Sequence, residues 1–435
     1  MALNSKQAFY YMKLLLVNTN RYRTPPVPPL SLEYLESSVK VSGHECRILD
    51  LCFEDDPLAA LDEEVGRYIP DVTGVTIRNI DTVIYDNNVF FLDEIRSIVH
   101  HLKEKEIPVV AGGVGFSFIP DGVLEYIGAD WGVKGPGEKA LVHVLDRCGS
   151  NPSHMGTIFN GWEFGFNPDM PVERGNSIDY ARYIREGGLA GFQTQKGCRE
   201  HCKYCSEGNG FVMFRSPEHI VDELKTLTEK GFTDFHLCDT EFNQDLEFCY
   251  KFLETLIGKG PRISWALYMK SHPYEENLFR LLRKSGAHLV TLSIPTGRND
   301  LSDAAEIVRQ AKKHDLRIAV DLLLGLPGDT VKTMKRSIDH MREIQPDTVG
   351  INATIRLYPD TAVARDVLKS KSLRKCQHGA VDNNPKLVHP VFYNHITVDM
   401  LREIIGDDPL FKIEGFERTS NYQRLNSSEH SSKNF

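Results

Sequence analysis

The sequence predicts an α/β protein with two successive domains of parallel strands and helices, joined by an irregular connector. Three observations lead to this fold class. Short apolar runs alternate with amphipathic stretches over residues 12–148, and the same alternation resumes over residues 189–360. Between them, residues 149–188 are rich in Gly, Pro and Asn and show no regular period. Apolar strands that alternate with helical patterns are typical of parallel sheets covered by helices.

Composition narrows the class of protein. The 435 residues are 41% hydrophobic and 26% charged, as in ordinary globular domains, and the net charge of −9 gives no sign of general nucleic-acid binding. The nine cysteines form no disulfide framework, which fits a reducing compartment. No apolar run is long enough to span a membrane, and no signal peptide is visible. We therefore expect a cytoplasmic protein with neither nucleic acid nor membrane as a partner.

The first domain, residues 12–148, is predicted to hold five β/α units in a doubly wound, Rossmann-like sheet. The predicted strands are Met12–Asn18, Cys46–Leu51, Val72–Arg78, Pro108–Gly112 and Asp130–Lys134. The predicted helices lie near Ser31–Ser42, Leu58–Tyr68, Val89–Lys105, Asp121–Ile127 and Glu138–Cys148.

Ligands of such a sheet bind at the carboxyl ends of the strands, so the loops there supply candidate binding residues. These candidates are Asn18, Thr19, Asn20, Arg78, Asn79, Gly112, Gly113, Val114, Gly135, Gly137 and Glu138. Glycines there would let a large ligand approach the backbone, although for any single loop a plain turn is the better explanation of its glycine. Neither a G-x-G-x-x-G nor a P-loop motif occurs, so a dinucleotide or P-loop nucleotide site has no support.

The second domain, residues 189–360, is predicted to contain six β/α units, too few for a closed eight-fold barrel. The predicted strands are Leu189–Lys196, Phe232–Cys238, Ile263–Lys270, His288–Ser293, Leu316–Gly325 and Thr348–Leu357. We expect a partial barrel with its active site at the carboxyl ends of the strands. Residues 361–426, with a helix near Thr397–Ile405 and the apolar stretch Pro409–Ile413, would form a small cap that helps to select the substrate.

Three cysteines follow the first strand of this second domain. Cys198, Cys202 and Cys205 have the spacing C-x3-C-x2-C. Three thiolates can hold three irons of a [4Fe–4S] cluster, which leaves one iron open to a further ligand. A zinc site that adds His201 is the alternative, although no second C-x2-C pair is present. A disulfide interpretation fails because the number is odd and the spacing tight.

The cysteine spacing, with the aromatic Tyr204 before its last member, resembles the signature of the radical S-adenosylmethionine (SAM) enzymes. In that family SAM chelates the fourth iron through its amino and carboxylate groups. The resemblance implies SAM contacts from Tyr204 in this loop and, at the ends of later strands, from Asp239 and Glu241 to the SAM ammonium group, from Ser293, and from Arg356 to the SAM carboxylate. Helix capping by Asn243 or Asp245 is an alternative explanation for the acidic stretch, and a structural or surface role is an alternative for Arg356.

Residues 12–148 resemble the cobalamin-binding domain that precedes the barrel in many radical SAM enzymes. The matching pieces include LLLVNTN, DVTGVTIRN and GVKGPGE. Many cobalamin domains carry an Asp-x-His-x-x-Gly motif after the first strand, whereas residues 18–23 here read NTNRYR. The resemblance thus implies a cobalamin whose cobalt has no histidine on its lower face.

Together these resemblances imply a cobalamin-dependent radical SAM C-methyltransferase. In that family a 5′-deoxyadenosyl radical removes a hydrogen atom from an unactivated carbon, and methylcobalamin then supplies the methyl group. The implied partners are a small-molecule or peptide/protein substrate and an external electron donor such as flavodoxin or ferredoxin. The alternatives are a cobalamin-dependent radical SAM cyclase or ring-rearranging enzyme without methyl transfer, and a non-catalytic cobalamin or iron–sulfur sensor.

Overall fold

A computed structural model describes residues 11–148, 156–208, 210–295 and 301–414. The described chain divides into two compact units. Unit 1 contains the chain up to Ile80 together with Phe90–Gly188, and unit 2 contains Asp81–Val89 together with the chain from Leu189 onward. The predicted connector therefore falls in unit 1, and the short segment Asp81–Val89 falls in unit 2. The predicted cap reaches residue 426, and its part from residue 415 lies outside the described residues.

Unit 1 is built on a parallel sheet of six strands in the order β2-β1-β3-β4-β5-β6. The strands are β1 Lys13–Asn18, β2 Glu45–Asp50, β3 Val72–Thr76, β4 Val109–Gly112, β5 Trp131–Lys134 and β6 Thr157–Asn160. The sequence predicted the first five. The sixth strand lies in the stretch that was predicted to be irregular, because its four residues are too few to show a period.

Eight helices are described in unit 1. They are α1 Leu30–Val41, α2 Pro57–Tyr68, α3 Leu92–Glu104, α4 Val114–Phe118, α5 Pro120–Ile127, α6 Glu138–Cys148, α7 Gly161–Phe164 and α8 Tyr180–Arg185. Helices α1 and α6 cover one face of the sheet, where Leu14, Val110 and Trp131 pack against Leu32 and Val144. Burial of this apolar surface is the main stabilising contribution to the unit.

The predicted connector is held to helix α1 by a buried polar cluster. Arg174 Nε donates to Glu33 Oε2 at 2.6 Å, and the Tyr180 hydroxyl donates to the same oxygen at 2.5 Å. The Gly175 N–H donates to the other oxygen of Glu33 at 2.6 Å. All three side chains are almost fully buried, so each charge and hydroxyl requires these partners. The connector is thus an integral part of unit 1.

The strand order of unit 1 reverses direction between β1 and β3, because β2 lies on the other side of β1. Loops that leave these two strands turn to opposite faces of the sheet and leave a crevice at its carboxyl edge. The fold therefore places a binding crevice at the ends of β1 and β3, beside Asn20 and Arg78.

Unit 2 is built on a parallel sheet of seven strands in the order β18-β14-β13-β12-β11-β10-β7. The strands of unit 2, with those of its smaller sheets, are β7 Ala190–Phe192, β8 Gln195–Cys198, β9 Phe211–Phe214, β10 Asp234–Leu237, β11 Ser264–Met269, β12 Ala287–Pro295, β13 Arg317–Leu323, β14 Thr348–Asn352, β15 Ile355–Arg356, β16 Gln377–Gly379, β17 Val391–Tyr393 and β18 Phe411–Ile413. The α-helices are α9 Pro217–Glu229, α10 Leu246–Lys259, α11 Glu276–Lys284, α12 Leu301–Lys313, α13 Val331–Ile344, α14 Ala362–Lys369, α15 Lys371–Arg374 and α16 Val398–Ile405.

Two predicted strands of unit 2 are each divided into two. The stretch 189–196 holds β7 and the start of β8, and β8 leaves the main sheet to form an antiparallel hairpin with β9. The stretch 348–357 holds β14 and β15, and β15 joins a small antiparallel sheet in the order β15-β17-β16. The apolar stretch assigned to the cap contributes β18, which pairs with β14 as a seventh parallel strand. The apolar pattern is the same in all these cases, so only pairing partners distinguish them.

The two faces of the main sheet of unit 2 differ in character. Trp265 on β11 is fully buried and packs edge-on against Phe252 of α10. On the other face, Ala266, Leu289 and Ala319 form a small cluster. Further along the strands, toward their carboxyl ends, Ser293 and Asp321 are register partners on β12 and β13. Since the carboxyl ends of parallel strands share one edge, polar groups collect there. Among the described residues, no helix is long and apolar enough to cross a membrane.

Candidate active site

The three cysteines lie on a loop that the hairpin β8–β9 carries. Cys198 is the last residue of β8 and pairs with Phe211, the first residue of β9. The Gly210 N–H donates to the Cys198 carbonyl at 3.1 Å, and the Cys205 N–H donates to the Cys202 carbonyl at 3.2 Å. A Cβ on Gly208 would approach the Glu200 carbonyl oxygen to 2.3 Å, so the loop closes only with glycine at this position.

The sulfur atoms of two cysteines accept hydrogen bonds. Gln244 Nε2 donates to Cys198 Sγ at 3.3 Å, and the Glu207 N–H donates to Cys205 Sγ at 3.4 Å. Cys198 is only 4% exposed. Burial raises the pKa of the Cys198 thiol and raises that of Cys205 to about 12. A bound cation would reverse this effect, because a thiol that coordinates a metal is deprotonated.

The donor set fits an iron–sulfur cluster. None of the three cysteines forms a disulfide, and N–H groups that point at sulfur are a common feature of cluster sites. Among the described residues, no group of three or more His, Cys, Asp or Glu side chains is placed to ligate one metal ion. In a [4Fe–4S] cluster each cysteine binds its own iron, so the three sulfur atoms need not converge on one point.

Glu241 lies beyond the end of β10 and carries the clearest signal for a missing ligand. Its Oε2 atom is buried and has no hydrogen-bond partner among the described residues, and the same holds for Gln195 Oε1. The two residues are adjacent, since Gln195 Nε2 donates to the Glu241 backbone carbonyl. Burial raises the pKa of Glu241 to about 8, although the Lys270 cation and a Ser293 hydrogen bond act in the opposite direction. Two unsatisfied acceptors in one place fit a ligand ammonium group.

Asp239, also a predicted SAM contact, accepts hydrogen bonds from the chain between β7 and β8. Its carboxylate accepts the Thr194 N–H at 2.8 Å, the Gln195 N–H at 3.2 Å and the Thr194 hydroxyl. It is 5% exposed, and burial raises its pKa to about 7 despite these hydrogen bonds. Asp239 therefore fixes the chain between β7 and β8, and its oxygens are already used by protein donors.

The two residues considered as helix caps, Asn243 and Asp245, have different roles in the structure. Asp245 caps helix α10 by accepting the Phe248 N–H at 3.1 Å. Asn243 instead bridges to the next strand, donating to the carbonyls of Lys270 and Pro273 and accepting the Lys270 N–H. These bonds hold the end of β11 in place, and the Lys270 ammonium in turn pairs with Glu200 of the cysteine loop at 2.6 Å. Lys270, Glu200 and Gln244 could not be selected from the sequence, because none of them occupies a defined position of a recognised motif.

Arg356, the predicted SAM-carboxylate ligand, is a structural residue. It lies on β15 in the small antiparallel sheet and is 3% exposed. Its guanidinium pairs with Asp81 at 2.9 Å and donates to the carbonyls of Leu357, Leu387 and Val388. These protein acceptors engage the guanidinium, and the predicted SAM contact stays a prediction. The structural alternative is the one that the geometry supports.

Tyr204 and Ser293 remain candidates for cofactor contact. The ring of Tyr204 is partly buried against an apolar cluster that includes Leu357, Val363 and Val391. Burial raises the pKa of its hydroxyl. Ser293 faces the same edge as Glu241, to which it contributes a hydrogen bond. Thr296, which follows the β12 strand, lies outside the described residues.

In unit 1, several predicted cobalamin contacts are already engaged with the protein. Asn18 Nδ2 donates to Asp50 Oδ1 at 2.7 Å, and the Thr19 hydroxyl donates to the Thr76 carbonyl at 2.6 Å. Both residues are almost fully buried. They join the ends of neighbouring strands, so their side chains position the crevice and do not line it. Apart from the glycines, the exposed or half-exposed members of the predicted set are Asn20, Arg78, Asn79 and Val114.

Two glycines of these loops, Gly113 and Gly135, are required by protein packing. Gly113 has a φ of +105°, and a Cβ there would lie 2.5 Å from the Ile77 carbonyl oxygen. A Cβ on Gly135, with φ of +78°, would lie 2.6 Å from Trp162 Nε1. Gly137 is close to Leu35, while Gly112 has ordinary space and Glu138 is buried in the first turn of α6. The close approach that the glycines permit is therefore to neighbouring loops.

These packed loops still fit a large, flat cofactor. The Gly115 N–H donates to the Ile77 carbonyl at 2.9 Å, and the Gly135 N–H donates to Ser117 Oγ at 2.9 Å. Three strand-end loops are thereby tied into one rigid rim, from which Val114 projects with 49% exposure. A rim of backbone and apolar groups suits a ligand recognised by shape and by main-chain hydrogen bonds.

Comparison with known proteins supports both halves of this description. Residues 20–145 match the family model of the B12 binding domain, and residues 192–341 match that of the radical SAM superfamily. The chain therefore belongs to the radical SAM enzymes that carry an N-terminal B12-binding domain. Cobalamin is the cofactor of the first part, and a [4Fe–4S] cluster with SAM is that of the second. The zinc alternative has no support.

Relatives of similar length are methyltransferases by name. The chain is 26% identical to a tryptophan 2-C-methyltransferase of Streptomyces laurentii, over 85% of this chain and 76% of the relative. It is 21% identical to a cytidylyl-2-hydroxyethylphosphonate methyltransferase of Streptomyces wedmorensis, over 87% and 84%. These relatives support the predicted methyltransferase over a cyclase or a sensor.

A solved structure supports the fold. The radical SAM methyltransferase TsrM of Kitasatospora setae, with tryptophan and a SAM analogue bound, superposes with a TM-score of 0.81 at 23% identity, over 94% of this chain and 93% of that one. The predicted fold class, a Rossmann-like domain followed by a partial radical SAM barrel, is confirmed.

Proposed function

We propose that this protein is a cobalamin-dependent radical SAM C-methyltransferase whose substrate is a small molecule with an aromatic ring, of which tryptophan is the first to test. The observation that carries the proposal is a three-cysteine loop without disulfides together with two buried acceptors, Glu241 Oε2 and Gln195 Oε1, at the same end of the strands in a radical SAM domain. Neither acceptor has a hydrogen-bond partner among the residues that the structure describes. A B12-binding domain precedes them in the chain.

The residues of unit 2 have separable roles in this proposal. Cys198, Cys202 and Cys205 hold the cluster, and the N–H donors on Cys198 and Cys205 stabilise their thiolates. Glu241 and Gln195 accept the ammonium group of SAM and so orient it toward the cysteine loop. When bound, the cluster with SAM supplies radical chemistry and the cobalamin supplies the methyl group.

The choice of substrate class rests on the relatives. The Streptomyces laurentii relative is named for methylation of tryptophan at carbon 2, and the Kitasatospora setae structure contains tryptophan. The Streptomyces wedmorensis relative is named for a cytidylyl phosphonate, which is also a small molecule. These names favour a metabolite over a peptide or protein as the substrate of this chain.

The test is a product count in the holoenzyme prepared without oxygen. SAM with a deuterated methyl group, a reductant and tryptophan are supplied, and mass spectrometry follows the label. We expect labelled methyl on a carbon of tryptophan, one S-adenosylhomocysteine per product and one 5′-deoxyadenosine per product.

Each possible outcome of this experiment tests a different part of the proposal. Methylated tryptophan without 5′-deoxyadenosine would remove the hydrogen-abstraction step and keep the methyltransferase. An altered but unlabelled substrate would replace the methyltransferase with a cyclase or ring-rearranging enzyme. Intact SAM under reducing conditions, in a protein that holds its cluster, would overturn the proposed function altogether.

A further inference from the structure

Helices α14 and α15 present a strongly basic surface. Five of the residues from 362 to 375 are basic and exposed, namely Arg365, Lys369, Lys371, Arg374 and Lys375, and we call them the basic cap surface. Asp366 is the only acidic residue in this stretch of the sequence. The stretch thus carries a charge of +4 in a chain of net charge −9, which leaves −13 for all other residues. A local excess of this size attracts anionic partners by long-range electrostatics.

This surface adjoins the cysteine loop. The Val363 N–H, in the first turn of α14, donates to the Lys203 carbonyl at 3.0 Å. Tyr204, the next residue of the loop, packs against the cluster that contains Val363, Val367 and Leu373. The hydrogen bond and the packing both lie within unit 2, so the loop and the two helices form one continuous piece of structure.

The loop carries charges of both signs, since Arg199 pairs with Asp245 at 3.3 Å and Glu200 pairs with Lys270 at 2.6 Å. Arg199, His201 and Lys203 are exposed, and they stand between or beside the cysteines that would hold the cluster. Two apolar side chains are also exposed here, Leu368 on α14 at 40% and Phe211 at 41%, and Phe211 pairs with Cys198. Basic residues around a few exposed apolar side chains are a common composition for a protein docking surface.

We propose that the basic cap surface and the adjoining cysteine loop form the docking site for an acidic one-electron carrier protein, of the flavin or iron–sulfur type. The inference rests on the proposed function, which requires electrons at the cluster. In each encounter one electron leaves the reduced carrier and enters the enzyme through the three-cysteine loop. Such encounters bury little surface and depend on charge for their rate, which matches an exposed basic patch with few apolar side chains.

The experiment measures reduction directly and does not depend on methyl transfer. The holoenzyme is mixed with flavodoxin hydroquinone in a stopped-flow instrument, and the loss of cluster absorbance gives the rate. The test variant is Lys369→Glu/Lys371→Glu. At low ionic strength we expect its second-order rate constant to fall about tenfold, and the difference should disappear at high salt.

A matched variant, Lys259→Glu/Lys284→Glu, makes the same charge change elsewhere. Both lysines are exposed in the last turns of α10 and α11, just before β11 and β12 begin. They therefore lie at the amino edge of the sheet, opposite the cysteine loop. We expect this variant to be reduced by flavodoxin at a rate close to that of the unchanged protein.

Reduced methyl viologen supplies the second control, because a small cation needs no docking surface. The test variant should accept electrons from it at the unchanged rate. Equal slowing with viologen, equal slowing in the matched variant, or no slowing with flavodoxin would each overturn the proposal. A raised KM for the methyl acceptor, measured with viologen as the donor, would assign the surface to an anionic substrate instead. A holoenzyme that is reduced as expected but methylates nothing would contradict the proposed function alone.

Discussion

The carboxyl edges of the two sheets, where the cofactors should bind, differ in how far their polar groups are engaged with protein partners. At the carboxyl edge of unit 1, the side chains of Asn18 and Thr19 donate hydrogen bonds to the ends of neighbouring strands. Gly113 and Gly135 there are packed against protein groups. At the carboxyl edge of unit 2, Glu241 and Gln195 each have an acceptor atom without a partner in the described part of the chain, beside a loop of three cysteines that form no disulfide. A rigid rim can bind by shape, whereas a site for charged and metal groups must leave its ligands unsatisfied until the cofactor arrives.

The largest effect is expected at the cysteine loop. Cys202→Ala should lower iron and sulfide content and reduce SAM cleavage by more than about a hundredfold, because the cluster loses a ligand. Cobalamin binding to unit 1 should be unchanged. Cys376→Ala removes a cysteine of the cap outside the loop, and this variant should retain both SAM cleavage and cobalamin binding. Normal SAM cleavage in Cys202→Ala would contradict the assignment of the cysteine loop as the cluster site.

The structural role of the Arg356 guanidinium can be tested by removing its partner Asp81. Asp81→Ala leaves the buried Arg356 charge without its carboxylate and should lower the free energy of unfolding by about 3–5 kcal/mol. Chemical denaturation measures this change. The folded fraction should bind SAM with an unchanged Kd. Two outcomes would instead support a SAM contact by Arg356. One is an Asp81→Ala protein of unchanged stability, and the other is an Arg356→Met protein that folds well but no longer binds SAM.

Glu241 and Asp239 form a matched pair of neighbouring carboxylates. Glu241→Gln should weaken SAM binding by about 1.5–3 kcal/mol, because it removes a charged acceptor for the ammonium group. Asp239→Asn should instead lower stability, since its oxygens serve Thr194 and Gln195. Calorimetry of SAM binding and thermal unfolding separate the two effects. Equal losses of SAM affinity in both variants would contradict the division of roles.

The pH dependence of Glu241 follows from its burial. The pKa of Glu241 is raised from its ordinary 4.5 to about 8, so between these values the folded, SAM-free protein binds more protons than the unfolded chain. Its contribution to stability is therefore full below pH 4.5 and is lost as the pH rises toward 8. SAM affinity should rise over the same range, because the ammonium group requires the carboxylate. Titration of Glu241→Gln should show neither dependence if this carboxyl is responsible.

The smallest effects are expected at the unit 1 rim. Thr19→Val removes the hydrogen bond to the Thr76 carbonyl and should cost about 1 kcal/mol of stability with little change in cobalamin retention. Arg78→Ala, at an exposed position, should show the reverse pattern. Corrinoid content after gel filtration and thermal unfolding give the two readings. Loss of cobalamin in Thr19→Val, at full stability, would mean that the rim binds through side chains as unit 2 does.

Much of the fold could be predicted because the necessary signals are local. Alternating apolar runs identified the strands of both main sheets, except the four-residue β6, the three-residue β18 and the divided strands at residues 189–196 and 348–357. Those exceptions are short segments whose apolar pattern is the same whether they pair in the main sheet or in a hairpin. The cysteine loop could be located from spacing alone, since all three residues lie within eight positions of one another.

The sequence by itself determined which residues could serve as cluster ligands and where parallel strands begin and end, because both depend on neighbours along the chain. Only the tertiary structure decided which polar groups are already satisfied. Arg356 and its partner Asp81 are 275 positions apart, and Asp239 binds backbone groups 45 and 44 positions away. Whether a buried carboxylate or guanidinium is available to a ligand depends on such distant partners, which no local pattern of residues contains.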